Sequence, residues 1–208
     1  MIVLLLLLTL PALSDAELLS CAVERWQQPA KPDATREVQR LAMEGWMAAR
    51  ALAPKGGARE LLGPVNVHLR ALDEYPQTSA RYAETAIRAA VSAAQDERDE
   101  MGLLLEHARG LSTQMELVGE PAEWPLPIDE LAGELWFEVD RYIEARDAYL
   151  QATKLKPTPN AWIGLARASD RLGDTVTACR AYTAADATRN LPNSVALEIS
   201  LYALKCKI

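Results

Sequence analysis

Aromatic residues, histidine and cysteine are all scarce in this chain of 208 residues. It contains one Phe, two His and three Cys, and aromatic residues make up 6% of the total. The low aromatic fraction argues against a sheet-rich fold, because strands favour aromatic and β-branched residues. Three Cys are too few for a disulfide scaffold, and two His offer little material for a catalytic or metal site.

The sequence also lacks an excess of basic residues. It has 29 acidic and 22 basic residues, a formal charge of -7 and a pI near 5.0. This balance gives no electrostatic reason to expect binding to nucleic acid. The hydrophobic fraction of 50% is too high for a disordered chain. Since helix formers such as Ala, Leu, Glu and Arg outnumber Val, Ile and Thr, the composition predicts an all-α fold.

The first 13 residues, MIVLLLLLTLPAL, carry no charge. The apolar run Ile2–Leu10 is shorter than the roughly 20 residues that a membrane-spanning helix needs. It is typical of a secretory signal peptide, although no Lys or Arg precedes it, and Ser14 and Ala16 fit a cleavage site after Ala16. We therefore expect a signal peptide over 1–16 and export to the periplasm or the bacterial envelope. The alternatives are an uncleaved membrane anchor and a buried apolar helix.

Cys21 offers another interpretation of the N-terminal region. The segment Leu18-Leu19-Ser20-Cys21 loosely resembles the lipidation site of a bacterial lipoprotein. Asp15 and Glu17 interrupt the apolar run before it, where such sites are apolar. Lipidation at Cys21 is therefore an alternative, in which the protein is a lipid-anchored structural or assembly lipoprotein of the envelope. Contact with a membrane is expected only through such an N-terminal anchor.

Helical periodicity interrupted by Pro and Gly covers the chain after residue 30. Apolar residues recur at i, i+3 and i+4 spacing, which is typical of helices that bury one face. The predicted segments before residue 120 are 34–53, 58–75 with a break at Gly63–Pro64, 78–94, and a helix that follows the acidic cluster 96–100 and runs to 118.

The C-terminal part of the chain repeats itself at a spacing of 33 residues. A small residue, an aromatic residue and Ala recur with the same internal spacing in 142–157 and 175–190. Each stretch follows another helical segment, at 129–139 and 160–173, and the second of these ends on a Gly. The residues of the repeated pattern are Ala145, Tyr149, Ala152, Trp162, Leu165, Ala166, Gly173, Ala178, Tyr182 and Ala185.

This series resembles the tetratricopeptide repeat (TPR) family. In that family small residues let helix A approach helix B, an aromatic residue fills the space between hairpins, and hairpins stack because one alone cannot bury its apolar face. The resemblance implies a TPR-like α-solenoid of antiparallel helical hairpins. Repeats and a C-terminal capping helix would cover 121–208, and 17–120 would be a degenerate, repeat-like helical region. The alternative for the region before 120 is an unrelated helical bundle. Asp140 departs from the family, which has Gly at this turn.

The resemblance also implies a binding surface, since partners of this family often lie in a groove lined by the A helices. The basic clamp that grips the C-terminal carboxylates of chaperones is absent, because Glu130, Glu134 and Ile163 occupy the comparable places. A mixed-charge groove suits a peptide or a partner helix instead, and the alternative is a solvated surface. The implied groove residues are Glu130, Glu134, Phe137, Glu138, Asn160, Ile163, Arg167, Asp170 and Arg171.

The helix order of such an array brings two of the three cysteines together. Cys179 lies early in helix B of the second repeat, and Cys206 lies near the end of the next helix. Because the two helices run antiparallel, we expect a disulfide between them in an oxidising compartment. The alternative is two buried free thiols.

The sequence contains no HExxH, CxxC, Gly-rich phosphate loop or nucleophile-elbow pattern. His107 has Leu103 and Leu111 at i−4 and i+4, where a second metal ligand would have to lie, and His68 has no partner in phase. We therefore expect a non-catalytic protein–protein interaction scaffold with a protein or peptide partner and without metal or cofactor. An enzyme subunit with a pocket in 30–120 is a less favoured alternative.

Overall fold

The computed structural model describes residues 33–52, 62–120, 124–187 and 193–206. The chain divides into two units, Met1–Ala34 and Thr35–Ile208, and the elements below belong to the second unit except for the first residue of the first helix. The predicted signal peptide at 1–16 and the predicted lipidation site at Cys21 lie outside the described residues.

All regular secondary structure in the described residues is helical, which confirms the all-α class. None of the helices described is long and apolar enough to cross a membrane. The helices are α1 (Ala34–Arg50), α2 (Gly63–Asp73), α3 (Thr78–Ala94), α4 (Arg98–Val118), α5 (Ile128–Glu138), α6 (Tyr142–Leu155), α7 (Pro159–Arg171), α8 (Thr175–Asp186) and α9 (Asn193–Lys205).

Gly63 and Pro64 begin a helix at the place where the sequence predicts a break in the segment 58–75. α2 starts at Gly63, and Pro64 lies in its first turn. A Pro at this place loses nothing, because the first N–H groups of a helix have no intrahelical acceptor. The part of the predicted segment before residue 62 lies outside the described residues.

α3 is capped by a carboxylate from the far end of the next helix. The backbone N–H groups of Thr78 and Ser79 donate to Glu120 Oε1 and Oε2 at 3.0 and 2.7 Å, while the side chain of Gln77 makes no cap. Burial alone would raise the pKa of Glu120, but the bonds from Ser79 and Thr78 outweigh it and hold that pKa below its ordinary value. Glu120 thus joins the start of α3 to the chain directly after α4.

Neighbouring helices pack as three hairpins, formed by α3 with α4, α5 with α6, and α7 with α8. α6 also packs against α7, which joins the second hairpin to the third. The first helices of the hairpins contact one another, α3 with α5 and α5 with α7, and α9 packs against α8. Most contacts of α2 to α9 are therefore made with helices close to them in the sequence.

The three hairpins turn in the same way. Asp96, Asp140 and Gly173 have φ angles of 58°, 60° and 77°, in the left-handed region. The N–H of the residue after each of them donates at 2.9 Å to the carbonyl oxygen five positions back. This is the Schellman motif, which satisfies the last carbonyl groups of a helix. Asp140 replaces Gly because Asp is among the few side chains that tolerate this region.

The first hairpin buries the same positions as the two sequence repeats. Met101, Leu105 and Ala108 lie three, seven and ten residues after the first residue of α4. The Ala-Tyr-Ala patterns have the same offsets in α6 and α8, and all nine side chains are buried. The sequence does not predict this third copy of the pattern. The copy buries the same three positions, but Met101 and Leu105 stand where the two repeats have Ala and Tyr.

Within the part of the chain that the structure describes, buried hydrophobic side chains form two clusters. One draws on α1 to α5, and the other draws on α6 to α9. Trp136 packs against both clusters. This side chain therefore links the packing of α1 to α5 with that of α6 to α9.

Tyr149 of α6 packs between two helices at points where both carry Gly. A Cβ added to Gly133 of α5 would lie 2.7 Å from the ring, and one added to Gly164 of α7 would lie 2.2 Å from it. Tyr149 itself is 8% exposed. Any side chain at either position would overlap the Tyr149 ring, so the packing requires Gly at both.

We expect Gly164→Ala to lower the free energy of unfolding by about 1–3 kcal/mol, because its methyl group would overlap the Tyr149 ring. Equilibrium denaturation with urea measures this change. The control is Gly110→Ala in α4, where no heavy atom lies within 4 Å of the added Cβ. There the change should be stabilising by roughly 0.5–1 kcal/mol. Equal effects of the two substitutions would contradict the packing described.

Candidate binding groove

A groove with a volume of about 490 Å³ lies between α5, α7 and α9. We call the buried Tyr149 and Ile163 and the partly buried Phe137 its floor, and carboxylates and guanidinium groups line much of the rest. The lining residues are Arg50, Leu126, Glu130, Glu134, Phe137, Glu138, Tyr149, Asn160, Ile163, Gly164, Arg167 and Val195.

Seven of the nine groove residues expected from the sequence line this cavity. The other two lie outside it, at the C-terminal end of α7. Asp170 accepts hydrogen bonds from the Tyr202 hydroxyl at 2.5 Å and from Lys205 Nζ at 2.7 Å. The Arg171 guanidinium lies 5.7 Å from the centre of the Tyr142 ring. The seven that line the cavity are Glu130, Glu134, Phe137, Glu138, Asn160, Ile163 and Arg167.

Five lining residues were not among those expected. Arg50 and Val195 come from helices distant in sequence, and the remaining three are Leu126, Tyr149 and Gly164. The sequence placed Tyr149 between hairpins, so its proximity to the groove could have been inferred. No local pattern pairs Arg50 with a residue more than 80 positions away.

Three glutamates spaced four residues apart lie on the groove face of α5. Arg50 Nη2 lies 3.2 Å from Glu134 Oε1, and Arg50 Nη1 donates to Glu138 Oε2. The same guanidinium lies 5.5 Å from the centre of the Trp46 ring. Glu130 is 5% exposed and accepts a hydrogen bond from Thr158 Oγ1 at 2.8 Å. This face of α5 thus binds both α1 and the start of α7.

The groove floor contains a phenol that stays neutral. Burial, and next to it the charge of Glu134, raises the pKa of Tyr149 well above its ordinary value. Ile163 of α7 lies beside it and is 5% exposed. The floor therefore presents an aromatic and an aliphatic surface.

The opposite side of the groove is held by an ion pair between α7 and α9. Arg167 Nε and Nη2 donate to the two carboxylate oxygens of Glu198 at 2.8 and 2.5 Å. The Tyr182 hydroxyl of α8 donates to Glu198 Oε1 at 2.7 Å. The bond from Arg167 lowers the pKa of Glu198 and raises that of the guanidinium. Three helices therefore meet at one carboxylate.

The expected cysteine pair is bonded in the structure. Cys179 of α8 and Cys206, directly after α9, have an S–S distance of 2.00 Å and a Cα–Cα distance of 5.7 Å. The bond fixes the end of α9 against α8. Because Val195 of α9 lines the groove, the disulfide also helps to hold one side of it.

The two histidines lie away from this groove. His107 is exposed on α4. His68 Nδ1 is buried and lies 3.8 Å from Glu44 Oε2, a neighbour that the sequence pattern did not indicate. Among the residues that the structure describes, no three His, Cys, Asp or Glu side chains form a group able to hold a metal ion.

Loss of the disulfide should loosen α9. The bond joins residues 27 apart in sequence, so its loss should lower the free energy of unfolding by about 3–4 kcal/mol. Denaturation of the Cys179→Ser/Cys206→Ser variant measures this loss, and amide hydrogen exchange should quicken most in α9. Cys21→Ser serves as the control and should match the unmodified chain. Unchanged exchange in α9 would contradict this role.

Acid should weaken the Arg167–Glu198 contact. The pKa of Glu198 is lower in the folded chain than in the unfolded chain, so its contribution is complete above the ordinary value, about 4.3, and is lost as the pH falls through the lowered value. Glu198→Gln should therefore destabilise the protein at pH 6, and the difference should shrink towards pH 3. Denaturation at both pH values measures it, with the exposed Glu106→Gln on α4 as control. A difference that stays constant with pH would argue against the ion pair.

Comparison with known proteins assigns no family to this chain. Protein-family models, curated proteins and solved structures were compared with it, and none of them matches. Its function must therefore be inferred from its own residues and their arrangement.

Proposed function

We propose that this protein is a non-catalytic interaction scaffold of the TPR type, which binds a peptide or a helix of a partner protein in the groove between α5, α7 and α9. One observation carries the proposal: residues expected from the sequence to bind a partner lie close together in the structure. Seven side chains that the family resemblance assigns to partner binding surround one cavity.

The repeated hairpin supports the TPR-like architecture. Three successive helix pairs share one turn geometry and one set of buried offsets. Tyr149 fills the space between two hairpins, as the aromatic residue of the TPR family does. Stacked hairpins of this kind present a continuous surface formed by their first helices.

The chemistry of the groove supports a peptide or helix as its occupant. Its floor offers Ile163, the Tyr149 ring and the partly buried Phe137 for apolar contact. Its sides offer charged groups, and Asn160 is exposed at its edge. Recognition sites commonly combine an apolar centre with a few polar groups that fix orientation.

The proposed location is outside the cytoplasm, at the periplasm or the envelope. The apolar N-terminal sequence and the Cys179–Cys206 bond both support this location, since structural disulfides persist in oxidising compartments.

Filling the groove should abolish partner binding. Asn160 is exposed and lines the cavity, so Asn160→Trp places a large ring there with little effect on the core. We expect affinity capture from a native envelope extract to recover a partner with the unmodified protein and to lose it with Asn160→Trp.

The matched control is Leu103→Trp, at a position that is 69% exposed on α4 and outside the groove. It should capture the partner as well as the unmodified chain does. Equal capture by both Trp variants would contradict binding in the groove.

A further inference from the structure

We propose that the groove recognises a basic side chain of its partner, an arginine or a lysine, through the carboxylates of Glu134 and Glu138. This inference rests on the proposed function and specifies the chemistry of the partner.

A cation already occupies this pair within the chain. The Arg50 guanidinium of α1 contacts Glu134 at 3.2 Å and donates to Glu138, one turn further along α5. A planar guanidinium suits two carboxylates because its N–H groups point in fixed directions. Arg50 therefore shows that this face of α5 is arranged to bind a positive charge.

The groove remains negative after its internal pairs are counted. Its lining holds three carboxylates, from Glu130, Glu134 and Glu138, and two guanidinium groups, from Arg50 and Arg167. Arg167 is bound through both oxygens to Glu198, which lies outside the lining. Glu134 and Glu138 then face the single positive charge of Arg50, which leaves a balance of −1 at this pair. A cationic partner complements this balance, whereas an acidic one would meet charges of its own sign.

The carboxylates of the pair can be reached from solvent. The side chain of Glu134 is 37% exposed, and that of Glu138 is 20% exposed. The apolar floor next to them, at Tyr149 and Phe137, suits the aliphatic part of a Lys or Arg side chain. Both the charged end and the stem of such a side chain therefore find complementary surface.

Arg50 should also limit the affinity for such a partner. It occupies the carboxylates that a partner cation would use, and its own charge opposes a second cation. Arg50→Ala is therefore expected to strengthen the binding of a basic peptide, although it removes a side chain from the groove. A groove that used Arg50 to bind an acidic partner would respond in the opposite direction.

The test begins with a library of random 12-residue peptides, selected on the full chain and on the Asn160→Trp variant. We expect the peptides specific to the unmodified chain to be enriched in Arg or Lys. One such peptide is then synthesised with its basic residue intact or replaced by neutral citrulline or norleucine. Fluorescence polarisation should show about tenfold weaker binding of the neutral peptide.

Two variants identify the carboxylates that are responsible. Glu134→Gln/Glu138→Gln should weaken the basic peptide about tenfold and leave the neutral peptide unchanged. The exposed Glu106→Gln on α4 should leave both affinities unchanged. The peptide comparison on the unmodified chain and on Arg50→Ala keeps the test informative if the double variant fails to fold.

The outcomes separate this inference from the proposed function. Peptides that bind in the groove but lack basic residues, or that lose nothing on neutralisation, overturn the basic-side-chain inference and leave groove binding intact. Failure to select any peptide blocked by Asn160→Trp counts against both. Weaker binding of a basic peptide to Arg50→Ala also overturns the inference.

Discussion

The packing of Tyr149 between Gly133 and Gly164 is the constraint on which the groove depends. It sets how closely α5 and α7 approach α6, the helix that carries Tyr149. The same ring forms part of the groove floor, so the spacing of the helices and the shape of the cavity have a common origin. A bulkier residue on either helix would move a side of the groove as well as strain the core.

The sides of the groove are formed by contacts between helices that do not follow one another in the chain. Arg50 brings α1 to α5, and Glu198 brings α9 to α7. Such ion pairs contribute little to stability where they are exposed, because water and salt screen them. Their value here lies in orientation, since both involve planar guanidinium groups that bind carboxylates in defined directions.

The local structure can be predicted from the sequence, whereas most contacts between distant helices cannot. The Ala-Tyr-Ala spacing placed α6 and α8 correctly, and the neighbouring cysteines followed from helix order. The α3–α4 hairpin does not show the repeat in its sequence, because Met101 and Leu105 occupy the buried positions where the other two hairpins have Ala and Tyr. Arg50 could not be assigned to the groove, because charged side chains find partners through tertiary packing that no local periodicity records.

The contact between Arg50 and Glu138 joins residues 88 positions apart, whereas each hairpin closes within a few tens of residues. Helical hairpins with local contacts form quickly, and contacts across long loops carry a larger entropic cost of closure. We therefore expect the hairpins to assemble first and α1 to dock on α5 late in folding. Arg50 would then join the lining of the groove only after the three hairpins have packed together.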